Sequence, residues 1–360
     1  MNRNFLLFLS ILTCSYQSYA APADTFLIAN NLLKEEAKLN ISLSIDAVND
    51  SIDFLEMRES ENISDKSAGD YIGFNIGTLY SFHDQWAIEA SYWQREIDYS
   101  KDTNEIESAY LGLSYLPTSL NTKSSALKLR ASIWGNQSDV LDKTTPTLVN
   151  SNTIDQVSVN NPQDIQYQLD AIFSKKIDPL NQLNFFTNVG YSKVEVDSLD
   201  LIVSYSGCPY QIHIPNNNQF IGKGITACGA DTTITGPAQA FNLDVQKDLN
   251  YESYYAAFGG SWNFRYRKFE SQLAYQYQHL WRNDIDDRVK NFGNSPIKDN
   301  HTIGARFSYD FTPQITGFIR GEIYKNNFVG NIPFLYNGVT ASRLDKKYGL
   351  ASLGIKLNLF

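Results

Sequence analysis

The chain has 360 residues, 39 acidic and 30 basic, and the formal net charge of −9 argues against nucleic acid as a partner. No run approaches the roughly 18 apolar residues of a membrane-crossing helix, which excludes helical membrane spans. Tyrosine (22) and phenylalanine (21) are abundant, while cysteine (3) and methionine (2) are scarce.

Residues 1–20 have the pattern of an export signal. Arg3 supplies the positive end, Phe5 to Leu12 a short apolar run, and Ser18-Tyr19-Ala20 the small residues before a cleavage site. Lipoprotein processing at Cys14 is the alternative, and Thr13 is a poor residue to precede it. Within segment 21–38, Asp24 offers a helix N-cap, and Phe26, Ala29, Leu33 and Ala37 recur at helical spacing. A short periplasmic or lumenal helix is predicted there.

From Leu39 the period changes to two. Leu39, Ile41, Leu43, Ile45 and Ala47 fall on one face, and Asn40, Ser42, Ser44 and Asp46 on the other. The alternation recurs over 70–82, 86–96, 106–117, 126–136, 164–175, 182–193, 250–264, 268–281, 300–311, 314–325 and 346–360, giving twelve candidate strands. Each is about as long as the roughly 9–11 residues with which a tilted strand crosses a bilayer. The connections alternate in length. Short ones centre on 83–85, 117–125, 176–182, 265–268 and 312–314. Longer ones lie at 49–69, 137–163, 194–249, 282–299 and 326–345, with a shorter one at 97–105 on the same side. A transmembrane barrel sorts its loops in this way, long outside and short in the periplasm, whereas a soluble sandwich has no reason to.

The outward aromatic residues agree. Tyr80, Phe82, Trp86, Tyr115, Phe173, Phe185, Trp262, Phe264, Phe269, Tyr309 and Phe311 fall near the short turns. Tyr92, Tyr167, Tyr191, Tyr254, Tyr275 and Tyr277 fall near the long connections. Two girdles around an aliphatic band suit amphipathic rings at both membrane interfaces. On these residues the chain resembles Gram-negative outer-membrane β-barrel proteins from Leu39 to Phe360. The resemblance implies an all-β, antiparallel up-and-down barrel of about twelve strands. It also implies contact with outer-membrane lipid and lipopolysaccharide, and insertion by the barrel assembly machinery. Such chains end on an amphipathic strand with a terminal aromatic residue. Here Leu353, Ile355, Leu357 and Leu359 form the apolar set and Phe360 is out of phase. Autotransporters are similar in having twelve strands preceded by a helix. The short stretch between Ala20 and Leu39 leaves no room for a passenger domain.

The inward face is expected to be small or polar: Asn75, Gly77, Ser108, Gly112, Gln166, Gln168, Asn184, Asn188, Ser253, Ser261, Gln272 and Gln276. Asp46, Glu89, Asp170, Glu270, Asp310 and Glu322 balance Arg95, Lys128, Arg130, Arg306, Arg320 and Lys356. If Phe311 pairs with Ile315 across the 312–314 turn, Arg306 faces Arg320 at mid-depth. That like-charge pairing needs compensation, which Glu322 and Asp310 can supply from one diagonal step away. Two roles remain open for Arg130, Asp170, Arg306, Arg320 and Glu322. They brace the barrel as an ion-pair network, or the arginines form a constriction that attracts anions.

Cys208 and Cys228 remain after signal cleavage. An even count in an exported chain reads as one disulfide, with two free thiols as the alternative. By loop-closure entropy it contributes about 3 kcal/mol. It either protects an exposed loop or shapes a lid or inward plug. Enzyme signals are sparse. His83 and His213 read as solvated, while His279 and His301 sit near the outer rim beside Asp284, Asp286 and Asp287. Such a cluster can activate water or hold a cation, yet no Ser–His–carboxylate set, nucleotide loop or zinc-type spacing is present. The expected protein is a monomeric, narrow channel for passive diffusion of small polar solutes, with no cofactor and no metal. A non-conducting surface barrel whose loops bind a partner is the first alternative, and a rim hydrolase the second.

Overall fold

The computed structural model describes residues 39–48, 71–99, 102–143, 147–149, 152–205, 207–225, 232–241, 243–282, 284–291, 295–325, 331–338 and 347–359. The export signal, the helix predicted within 21–38, Cys228 and Phe360 lie outside the described residues. The described strands are β1 (Leu39–Val48), β2 (Tyr71–His83), β3 (Trp86–Tyr99), β4 (Asp102–Tyr115), β5 (Ser125–Gln137), β6 (Val140–Lys143), β7 (Thr147–Val149), β8 (Asn152–Asn160), β9 (Gln163–Lys176) and β10 (Asn181–Glu195). They continue with β11 (Ser198–Tyr205), β12 (Cys208–Pro215), β13 (Gln219–Gly224), β14 (Thr233–Pro237), β15 (Tyr251–Tyr266), β16 (Phe269–Trp281), β17 (Asp299–Asp310), β18 (Ile315–Lys325) and β19 (Lys347–Leu359). Two short helices are α1 (Val245–Leu249) and α2 (Ile285–Asn291).

Twelve strands close a barrel in the order β1-β19-β18-β17-β16-β15-β10-β9-β5-β4-β3-β2. Each pairs antiparallel with its neighbours, and β1 zips onto β19 from Leu39–Leu359 to Ala47–Ala351. Closure leaves the barrel without a free sheet edge, the condition for strands to cross hydrocarbon. These twelve are the twelve strands expected from alternation. Exposure alternates as the sequence does: Ile45 is 62%, Leu169 61% and Leu353 69% exposed, while Asp46, Gln168 and Ser352 between them are buried.

Expectations about three of the connections are corrected. Stretches 137–163 and 194–249 are largely strand, and so is 97–105. The β9–β10 ladder ends at Gln163–Glu195, and the β8–β11 ladder resumes it at Asn160–Ser198. The sheet then runs β14-β13-β12-β11-β8-β6, with β7 also on β8. Alternation explains it. Val157, Val159, Leu199, Leu201, Val203, Ile212 and Ile214 are buried on one face, and Asp200 and His213 pair on the other at 2.6 Å. The buried face continues into one apolar cluster with Trp93, Trp134, Tyr255, Leu249, Val289 and Phe334. The main hydrophobic core therefore sits at the end of the barrel away from the short turns, not around its middle.

Candidate functional site

Lumenal side chains project from alternate positions of each strand, so charges on neighbouring strands meet at one depth. Ion-pair clusters result, of which two are built around Arg130 and Arg320. In the first, Arg130 on β5 donates from Nε to Asp170 on β9 at 3.0 Å and from Nη1 to Glu89 on β3 at 3.3 Å. Ser114 and Tyr110 on β4 also donate to Glu89, at 2.9 and 3.3 Å. Lys128 stands 3.9 Å from the same carboxylate. In the second, Arg320 on β18 lies 3.1 Å from Asp46 on β1 and 3.3 Å from Glu322, and donates to Ser352 on β19.

The register places Arg306 directly opposite Arg320 and pairs Thr316 with Asp310. The two arginines are compensated differently. Arg320 takes Asp46 and Glu322. Asp310 and Glu270 instead receive Arg265, at 2.7 and 3.4 Å. Arg306 lies over the Phe318 ring at 4.1 Å, and no carboxylate stands within ion-pair distance of it among the described residues. Asp310 therefore does not offset the Arg306–Arg320 pairing as expected. It is one of the charges engaged by an arginine that sequence reading left in a turn.

The expectation of a uniformly small and polar interior is also corrected. Trp93, Tyr110, Trp134, Phe186, Tyr255 and Phe318 occupy inward positions and are buried. Parity along each strand marks them: Tyr110 lies between Ser108 and Gly112, and Trp134 between Ser132 and Asn136. Their apolar type hid the signal. Room is made locally by glycine. Gly190 stands opposite Tyr255 in the β10–β15 ladder, and a Cβ there would collide with the Tyr255 ring.

Above these rings residues 331–338, between β18 and β19, fold inward. Residues Ile332, Phe334, Tyr336 and Asn337 are all 0% exposed. The wall holds this segment with its own polar groups. Asn136 Nδ2 donates to the Asn331 carbonyl at 2.9 Å, and Tyr251 OH to the Pro333 carbonyl at 2.6 Å. Asp164 accepts from Phe334 N at 3.4 Å and from Asn136 at 2.8 Å. Arg95 reaches Asn136 at 2.9 Å and also Ser108. Further out, Arg282 lies 3.9 Å over the Tyr336 ring, and Tyr336 OH donates to Asp286 at 2.8 Å. Asp164, Arg265 and Arg282 were missed in sequence because they lie at strand ends, where alternation loses its phase.

Beside this segment the two short helices carry a titratable contact. Asp248 of α1 accepts from Arg288 of α2 at 2.5 Å. Burial raises its carboxyl pKa above the ordinary range, against the opposing pull of Arg288. A raised acid in the folded state favours folding in acid, and that contribution is lost as pH rises through the raised value. Amides 245–249 should therefore exchange more slowly in mild acid than at neutral pH after correction for intrinsic rates. Asp248→Asn should abolish the difference; a difference that persists in Asp248→Asn would remove Asp248 as its source.

The histidines do not form the expected rim cluster. His279 and His301 point outward from β16 and β17. His279 pairs with Asp299 at 2.7 Å, and His301 with Tyr275 at 2.9 Å. Asp286 faces Tyr336 and Arg282, and Asp287 faces Lys290. Among the described residues no hydroxyl or thiol is hydrogen-bonded to either imidazole apart from Tyr275 and Tyr277. Among the described residues no group of three or more His, Cys, Asp or Glu is arranged to hold a metal.

No family model matches the chain, and no curated protein matches its sequence. Among solved structures it is similar to the translocator domain of autotransporter NalP from Neisseria meningitidis, with 9% identity over 90% of each chain and a TM-score of 0.48. It is also similar to the NanC porin, with 10% identity over 89% of this chain and 100% of that one, at 0.42. A third is the CymD monoaromatic hydrocarbon channel, with 10% identity over 96% and 95%, at 0.39. A closed twelve-strand barrel, apolar outside and ringed by exposed Tyr, Trp and Phe at its turns, has one setting in which that wall is solvated. The protein is a transmembrane β-barrel of the bacterial outer membrane.

Proposed function

We propose that the protein is a monomeric outer-membrane channel for small polar solutes, gated at its extracellular half by residues 331–338. The observation that carries this reading is how the cap is held. Side chains of the wall bind it through Asn136, Asp164 and Tyr251, and it joins no described ladder, so it can leave without breaking the barrel. Beneath it the wall is lined by buried ions, which cost stability relative to apolar packing and are retained where a polar path needs them. No catalytic step and no cofactor is required.

The test is liposome swelling with sugars and amino acids. A variant whose residues 331–338 are replaced by a Gly-Ser linker should swell markedly faster than the parent. Absence of swelling in both would overturn the channel. It would favour the second reading, in which the extracellular β8–β14 sheet, polar on its outer face, binds a partner. Among the described residues Arg306 has no carboxylate within ion-pair distance and rests on the Phe318 ring, so it is assigned to attract anions. In the linker variant, Arg306→Ala should shift reversal potentials toward cation preference. Unchanged selectivity would leave Arg306 a structural residue packed on Phe318. The Cys208–Cys228 disulfide belongs to the same reading as a brace of the extracellular sheet, and a reduction-dependent mobility shift of the folded protein checks it.

A further inference from the structure

The outer wall carries a feature that solute passage does not use. A groove of about 660 Å3 crosses it, lined by Phe269, Phe307, Phe311, Ile319, Leu353 and Ile45 among others, and its lining is almost entirely apolar. Its floor is Gly317, an outward position on β18. Both ladder partners of Gly317, Tyr309 and Ile355, carry large side chains, so the missing one leaves a trough between them. The Phe311 ring borders this trough, and a Cβ at Gly317 would stand 2.7 Å from it.

The groove has a direction. At β16 it begins at Phe269, the first residue after the periplasmic turn, and at β2 it ends at Phe74, well above the turn at His83. Five inter-strand steps of about 4.8 Å make a path of roughly 24 Å. That is long enough for one acyl chain to climb through one leaflet of a hydrocarbon core about 30 Å thick. The low end is cationic. Arg267 and Lys268 form the two-residue turn between Tyr266 and Phe269. Lys268 Nζ donates to the carbonyl of Phe311, a lining residue, at 3.4 Å. Arg267 lies over the Tyr266 ring at 5.2 Å.

We infer that this groove is a binding site for one phospholipid of the periplasmic leaflet. The anionic headgroup rests on Arg267 and Lys268, and one acyl chain runs over Gly317 toward Ile45. Charge at one end, apolar lining along the path and ascent from the interface to mid-membrane are the three requirements of such a ligand, and all three coincide here.

Native mass spectrometry of the detergent-purified full chain, titrated with phosphatidylglycerol, tests the inference. The parent should retain one phosphatidylglycerol per barrel more tightly than phosphatidylethanolamine. Gly317→Ile should abolish that retention. Arg267→Ala with Lys268→Ala should weaken it about tenfold, by loss of two surface cations. Gly321→Ile serves as the control. Gly321 is an outward glycine on the same strand that does not line the groove, and it has open space around it. Heat-modifiable gel mobility verifies that each variant is folded. The turn variant keeps the test decisive if Gly317→Ile does not fold. Equal retention in Gly317→Ile, equal loss in Gly321→Ile, no effect of the turn variant, or no retained lipid in the parent would each overturn the site.

Discussion

Replacing Arg320 by alanine should lower the unfolding free energy by about 3–5 kcal/mol. The magnitude follows from what stays behind. Asp46 and Glu322 are both fully or nearly fully buried, and Arg320 is the cation that contacts both, at 3.1 and 3.3 Å. Removing it leaves two carboxylates in the lumen wall without that cation. The measurement is urea unfolding of the barrel refolded into lipid vesicles, followed by tryptophan fluorescence. A triple variant, Arg320→Met with Asp46→Asn and Glu322→Gln, should recover most of the loss, because it removes the charges together. A loss under about 1 kcal/mol in the single variant would show that water or other groups compensate the carboxylates. Arg306→Ala provides the contrast. It gives up mainly a contact with the Phe318 ring, worth about 0.5–2 kcal/mol. The two arginines face each other in one ladder, yet their expected effects differ because only one is tied to carboxylates.

Phe334→Ala should open the cap. Phe334 is fully buried in the extracellular core, and truncating such a ring costs about 3–5 kcal/mol. The loss falls on a segment outside the barrel ladders, so it shifts the cap and not the barrel. Even about 3 kcal/mol multiplies the population of the displaced cap roughly 150-fold. Single-channel recording should therefore show far more frequent openings, and amides 331–338 should exchange faster, while barrel amides keep their protection. Faster exchange without more openings would mean that residues 331–338 do not gate the path. Unchanged exchange would mean that Phe334 does not hold the cap.

The twelve-strand barrel and its closure were legible from alternation, loop parity and aromatic placement, because a strand between lipid and lumen must repeat every two residues. The same rule makes the Arg306–Arg320 pairing readable: a short turn sets the register, and the 312–314 turn leaves little freedom. Pairings between neighbouring hairpins were not readable in this way. Arg320 reaches Asp46 only because β1 closes onto β19, and Arg265 takes Asp310 across two strands. Such contacts depend on shear between strands distant in sequence.

The extracellular sheet alternates as clearly as the barrel does, in Leu199, Leu201 and Val203, but the length of its region reads as loop. What the sequence determined by itself is the wall: which residues face lipid and which face inward, since each strand meets two different solvents. What only the tertiary structure decided is the content of the lumen. Residues 331–338 carry no period, and their burial depends on a cavity shaped by Trp134, Tyr251 and Tyr255 from other strands. A plug is specified by the space left for it, and that space exists only once the barrel has closed.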